Sequence, residues 1–191
     1  KYKVPRVFFI NKIDKEGADF ERALTSIWDR LSPNALAVQL PIGQSGEHKG
    51  VVDLVKMKSF VFSGDMGEII TEGEIPADMK DLASEWREKM IEKVAETDDA
   101  LTEKYLNGEE ISEEEIKKAM RVGVIAGTLI PVLTGTALQN KGVQLVLDAV
   151  VDYLPSPLDV PAINGTDVRD EEKEIERHAN DEEPFAALAF K

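Results

Sequence analysis

Asn11, Lys12 and Asp14 bring an amide, an ammonium and a carboxylate to the end of an apolar run, Val7 Phe8 Phe9 Ile10. Such a run reads as a buried strand, and polar groups at a strand's carboxyl end are where open α/β sheets hold ligands. Asp14 can accept two parallel donors in one fork, and guanine presents such a pair, its ring N–H beside its exocyclic amino group. Adenine offers a lone pair where guanine has the ring N–H, so a carboxylate there discriminates by about 10⁴ or more. The methylene stem of Lys12 suits the face of a base, and the Asn11 amide can tie the loop to neighbouring backbone. A second candidate loop, Thr134 Gly135 Thr136 Ala137 Leu138, follows the apolar run Leu129 to Leu133. Its small side chains let the backbone N–H of Ala137 approach the guanine oxygen. On its own, Asn-Lys-x-Asp equally suits a plain turn. The preceding strand, the following amphipathic helix and the second strand-to-small-residue junction favour a binding loop.

The elements that must position these groups follow from the pattern. Phe20, Ala23, Leu24, Ile27, Trp28 and Leu31 recur at helical spacing behind Asp19, a suitable N-cap. Ala35 to Phe62, broken by Pro41, Gly43, Gly46 and Gly50, reads as a meander of short strands. Pro76 to Leu106 reads as helix in two pieces, with Pro76 in a first turn and Gly108 as a stop. Ser112 and Glu115 form a capping box for a further helix that fades between Gly123 and Gly127. A strand over Leu129 to Leu133 and a helix over Val143 to Tyr153 resume the α/β pattern, the helix with Val146, Leu147, Val150 and Val151 expected inward. Pro155, Pro157 and Pro161 predict an extended linker. An acidic stretch follows, then the apolar Pro184 to Lys191, read as a strand.

The chain has 191 residues, no cysteine and a net charge of -14. Absence of cysteine excludes a disulfide framework and thiolate chemistry and suits a cytoplasmic protein. No apolar run is long enough for a membrane span, and no signal peptide is legible. The chain opens without Met and enters a strand at once, which reads as a fragment. Acidic charge concentrates between residues 68 and 121 and again between 166 and 183. Such surfaces repel phosphate backbones, so no broad nucleic-acid face is expected, whereas basic protein partners fit. Plain solvation of helix faces explains the same acids. His48 and His178 lie in polar segments and read as surface residues, Glu109 to Glu115 as an acid-rich helix start, and Trp28 and Trp86 as core.

Together, NKID after a strand, GADF, QLPIG, GVVDLV, IPADM, TGTALQNKGVQ and DYLPSPLDVPAI resemble the guanine-binding half of bacterial-type translation elongation factor G, over nearly the whole chain. The resemblance implies a fold class: the C-terminal half of a P-loop GTPase domain, a doubly wound α/β sheet with an α+β insert, followed by the start of a β-barrel. Its implied divisions are residues 1–34 and 128–160 for the GTPase domain, 35–127 for the insert and 161–191 for the barrel's opening. It makes Asn11, Lys12 and Asp14 the base-specificity motif and Thr136, Ala137 and Leu138 the second guanine loop. Thr136 stands where the family usually has Ser and keeps the hydroxyl, and Lys15 and Glu16 also vary on the usual pattern. The implied ligand is GTP or GDP, with Mg²⁺ held only by residues outside this chain. The implied partners are the ribosome and the stalk protein of its large subunit, with no membrane. No GxxxxGK[ST] phosphate cradle occurs here, nor an Asp-x-x-Gly before Gln or His, so GTP hydrolysis is expected of the full-length protein and not of this chain alone. The implied activity is GTP-dependent ribosomal translocation. The alternatives are a ribosomal protection or release-factor recycling GTPase, and an acidic protein-docking module without nucleotide function.

Overall fold

The structure, a computed structural model, describes residues 4–159, 161–167 and 170–187. The chain divides into two compact units, residues 1–154 and 155–191. In the first, β1 (Phe8–Ile10), β7 (Ile130–Thr134) and β2 (Ala35–Ala37) form a parallel sheet in that order. All five residues of β7 are buried, as the centre of a parallel sheet requires. Pro131 is tolerated in this central strand because β1 begins opposite Val132, one residue further on.

Helix α1 (Phe20–Arg30) carries the chain from β1 towards β2. It starts where Asp19 Oδ1 accepts the Arg22 N–H at 2.9 Å, and it buries Phe20 and Leu24. Past β2 the chain turns from one sheet into another at Val38. The Val38 N–H donates to the Val132 carbonyl, and the Val38 carbonyl accepts from Leu54. From there β3 (Gln39–Ile42), β4 (Gly50–Asp53), β5 (Lys58–Ser63) and β6 (Ile69–Gly73) form an antiparallel meander. A side chain at Gly50 would meet the Phe60 carbonyl oxygen at 2.1 Å, so this β4–β5 contact excludes any other residue.

The helical stretch is in two pieces, α2 (Lys80–Ala95) and α3 (Asp99–Leu106). Asp98 starts the second by accepting from Ala100 and Leu101. Helix α4 (Glu113–Ala126) has the expected capping box, Ser112 and Glu115 each bonding the other's backbone N–H, and ends at Gly127 in the left-handed conformation. Gly123 is needed inside it because the Leu129 side chain fills the space of a Cβ. One apolar cluster runs from Leu24 through Leu54, Met90, Ile116 and Met120 to Val132, so the meander, the helices and the parallel sheet share a core.

Ser112→Ala is expected to cost about 1 kcal/mol, the usual worth of an N-cap, measured by chemical denaturation. Glu115 also pairs with Lys104. The Lys104 ammonium first and the Ser112 backbone second hold the Glu115 pKa below its ordinary 4.5, at about 2. The stability it contributes is complete above about 4.5 and is lost as pH falls towards about 2. Glu115→Gln should flatten that acid limb and leave neutral-pH folding cooperative.

Four expectations are corrected. Ala35–Ala37 is not the meander's first strand but pairs in parallel with β7. Helix α5 (Val143–Tyr153) buries Leu145, Ala149 and Tyr153, while Leu147 and Val151 are exposed and Val150 partly so. Gln144, Asp148 and Asp152 form one polar stripe, and the packed face lies beside it rather than opposite it, so polarity alone misplaces the inward stripe. His48 is buried, its ring Nδ1 3.3 Å from the Gly43 carbonyl oxygen, because Gly43 at φ 73° and a 3-10 turn fold the segment back. Burial lowers its pKa. Trp28 is 38% exposed, its indole N–H donating to the Ala35 carbonyl at 2.8 Å, whereas Trp86 packs edge-on against Phe20.

In the second unit, Pro157–Asp159 forms a single 3-10 turn within the proline-rich stretch. The acidic stretch then builds an antiparallel pair, β8 (Ile163–Asp167) with β9 (Asp170–Arg177), an opening suited to a β-barrel. His178 is exposed, as expected. Pro184 to Ala187 is not strand, and Leu188 to Lys191 lie outside the described residues.

Candidate functional site

Strands β1 and β7 are neighbours, parallel and in register, with Ile10 opposite Thr134. The loops that leave their carboxyl ends therefore emerge side by side, although far apart in sequence. Backbone bonds lock them: the Gly135 N–H donates to Ile10 at 3.1 Å and the Ile13 N–H to Gly135 at 3.3 Å. Ile13 is buried beneath the first loop and anchored from the other side by the Ser45 N–H at 2.8 Å.

Asn11 acts as the tie between the loops. Its Oδ1 accepts the Lys12 N–H at 2.8 Å and the Ala137 N–H at 3.0 Å. The first bond accompanies a left-handed Lys12 at φ 62°, the tight turn that brings Asp14 back over the sheet edge. The Ala137 N–H, expected to face a guanine oxygen, thus donates to Asn11 here. The second loop closes on itself through paired bonds between Thr136 and Lys141, at 2.9 and 3.1 Å. Gly135 permits this, since a side chain there would meet the Lys141 carbonyl oxygen at 2.3 Å.

Asp14 lies where the loops meet, its side chain only 8% exposed. Its Oδ2 accepts from Gln139 Nε2 at 3.3 Å and pairs with the Lys15 ammonium at 3.3 Å. Its Oδ1 is shielded from solvent and has no hydrogen-bond partner among the described residues. The Thr136 hydroxyl, acting on the carboxylate as a hydrogen-bond donor, does most to lower its pKa. Burial opposes that effect and Lys15 supports it, and the net direction is down. Asp14 is therefore an ionised, half-satisfied acceptor at neutral pH, a costly arrangement unless a donor meets it. A ring N–H and amino pair fits that deficit.

Of the six site residues read from the sequence, the structure brings five into one constellation: Asn11, Lys12, Asp14, Thr136 and Ala137. Leu138 projects into solvent, 78% exposed. Gln139 carries no sequence signal that would place it in the site; only the approach of the two loops reveals it. A concavity of about 560 Å³ is lined by the first loop, including Asn11, Lys12 and Lys15, and a smaller one of about 280 Å³ is walled by Trp28 and Trp86. Among the described residues, no three His, Cys, Asp or Glu side chains gather as a metal-holding group.

Parallel strands joined through helices, with two interlocked loops at adjacent carboxyl ends, define an α/β domain of the GTPase type. Residues 1–156 match the family model described as the elongation factor Tu GTP binding domain, and the chain belongs to that family. Membership implies guanine-nucleotide binding within a GTPase family of translation factors. A crystal structure of a protein from Thermus thermophilus is similar, with a TM-score of 0.71 and 28% identity over 85% of this chain. The chain spans 24% of the length of that protein. Among the described residues, no helix is long and apolar enough to cross a membrane.

Proposed function

We propose that this chain is the guanine-recognising portion of a cytoplasmic translational GTPase of the elongation factor G type, whose full-length form drives GTP-dependent ribosomal translocation. The observation that carries the reading is Asp14, a carboxylate shielded from solvent with one oxygen held and the other without a donor among the described residues, at the junction of two strand-end loops. In this reading Asp14 accepts the ring N–H and amino group of guanine, and Lys12 covers the base. Asn11 fixes the second loop, and Thr136, Ala137 and Leu138 shape its rim. The phosphates and Mg²⁺ are held by parts of the protein outside this chain, so the chain alone binds GTP weakly and does not turn it over. Residues 1–34 and 128–160 belong to the GTPase domain, with 35–127 an insert whose first strand, β2, stays in the parallel sheet; residues 161–191 open a barrel. In a reconstituted ribosome assay, the full-length protein with GTP should advance mRNA by one codon. Hydrolysis without movement would favour a ribosomal protection or recycling GTPase instead.

The acidic segment from residue 68 to 121 favours a second role in the same protein, docking of a basic partner, for which we propose the ribosomal stalk. The support is the excess of Asp and Glu over Lys and Arg between residues 68 and 121, carried mostly by β6 and the segments that connect the helices, since α2, α3 and α4 are themselves nearly balanced in charge. Reversing Glu103, Glu109 and Glu113 should slow ribosome association in stopped flow and flatten its salt dependence. Equal on-rates and salt slopes would leave these acids as solvated helix faces.

A further inference from the structure

We infer that Gln139 is a positioning residue for guanine specificity, orienting the Asp14 carboxylate so that both of its oxygens can serve the base; this rests on the guanine reading above. A carboxylate's terminal torsion is soft, so a bidentate acceptor needs something directional to set its plane. The candidates differ in that respect. Lys15 is a point charge on a side chain 58% exposed, strongly hydrated and able to follow the carboxylate wherever it turns. The Thr136 hydroxyl acts on the carboxylate as a donor but leaves Oδ1 without a partner. Gln139 alone among the described side chains places a neutral, planar donor on Oδ2, at 3.3 Å. An ionised carboxylate only accepts, so the amide nitrogen must be the atom that faces it.

Gln139 is itself held in place. It closes the 3-10 turn Ala137–Gln139, its own N–H donating to Thr136 at 3.2 Å, and the turn ends at a left-handed Asn140 with φ 54°. That turn belongs to the loop the Asn11 amide grips through Ala137. Besides the backbone bonds at Gly135, side chains join the two loops twice, once through Asn11 and once through Gln139, and the second joint ends on the specificity carboxylate. With Oδ2 pinned, the plane of the group is set and the buried Oδ1 is left as the open acceptor. Oδ2 has a second lone-pair direction, so it can keep Gln139 and still accept from the base.

The test compares GDP with inosine diphosphate, whose base keeps the ring N–H and lacks the amino group, so that the preference between them reads the second hydrogen bond. In the full-length protein, Gln139→Met should lower the GDP preference about tenfold, the worth of roughly one hydrogen bond. Inosine diphosphate affinity should stay within about twofold and the unfolding midpoint should not move. Gln139→Arg, which restores a planar, directional donor, should recover most of the preference. Asp14→Ala, measured beside them, should abolish it. If Gln139→Met keeps the preference while Asp14→Ala loses it, the role of Gln139 is overturned and guanine recognition by Asp14 stands. Equal loss of both nucleotides in Gln139→Met would likewise overturn it, reducing Gln139 to support of its own loop. If Asp14→Ala retains the preference, the guanine reading itself fails.

Discussion

Asp14→Asn is expected to reverse the base preference of the full-length protein, lowering GDP affinity by roughly 10²–10⁴-fold and raising that for xanthosine diphosphate. The carboxylate offers two acceptors to two guanine donors, whereas the amide offers one acceptor and one donor. Guanine's amino group would then face an amide N–H, two donors opposed in a shielded site. Xanthine has a carbonyl at that place and pairs with the same amide in a complete fork. The size of the effect follows from burial: with 8% exposure, water cannot substitute for the lost acceptor. Competition binding with the two diphosphates checks it, and unchanged selectivity would remove Asp14 from base recognition. The lowered pKa of Asp14 adds a sign: acid should weaken guanine binding only below the ordinary carboxylate range, once the group protonates.

The second large effect is expected at Gly135, which touches no base. An added Cβ would sit 2.3 Å from the Lys141 carbonyl oxygen and 3.1 Å from the Phe9 ring. The first contact is with backbone, so relief requires the Thr136–Lys141 pairing to open, and that pairing shapes the loop that carries Ala137 and Gln139. Gly135→Ala should destabilise the fold by about 1–3 kcal/mol, as overpacking does, and weaken GDP by more than about tenfold. Gly46→Ala serves as the control, since no atom lies within 4 Å of its Cβ position. Equal denaturation midpoints for the two variants would show that the loop does not need its tight closure.

What could be read without coordinates is what local chemistry writes into neighbouring letters. Asn11, Lys12 and Asp14 were legible because three polar types follow a buried strand, and the Asp19 cap and the Ser112–Glu115 box because a cap and its partner lie within one turn. The inward face of α5 was not legible, since Gln144, Asp148 and Asp152 mark one polar stripe and the buried face of Leu145, Ala149 and Tyr153 lies beside that stripe rather than opposite it; packing chose. His48 looked exposed among Gly and polar residues until the left-handed Gly43 turned it inward. The β8–β9 pair hid in a run of acids with a single apolar residue, Ile175, inside its second strand. Gln139 left no signal at all, because its meaning depends on a partner 125 positions away that only the register of β1 against β7 delivers.

The central claim, that Asp14 reads guanine between these two loops, is tested most directly by a crystal structure of the full-length protein with GDP. The account predicts both Asp14 oxygens at about 2.7–3.2 Å from the ring and amino nitrogens of the base, with Gln139 still on Oδ2 and Lys12 along the base face. A base seated away from Asp14, or contacted there through a single nitrogen, would contradict it.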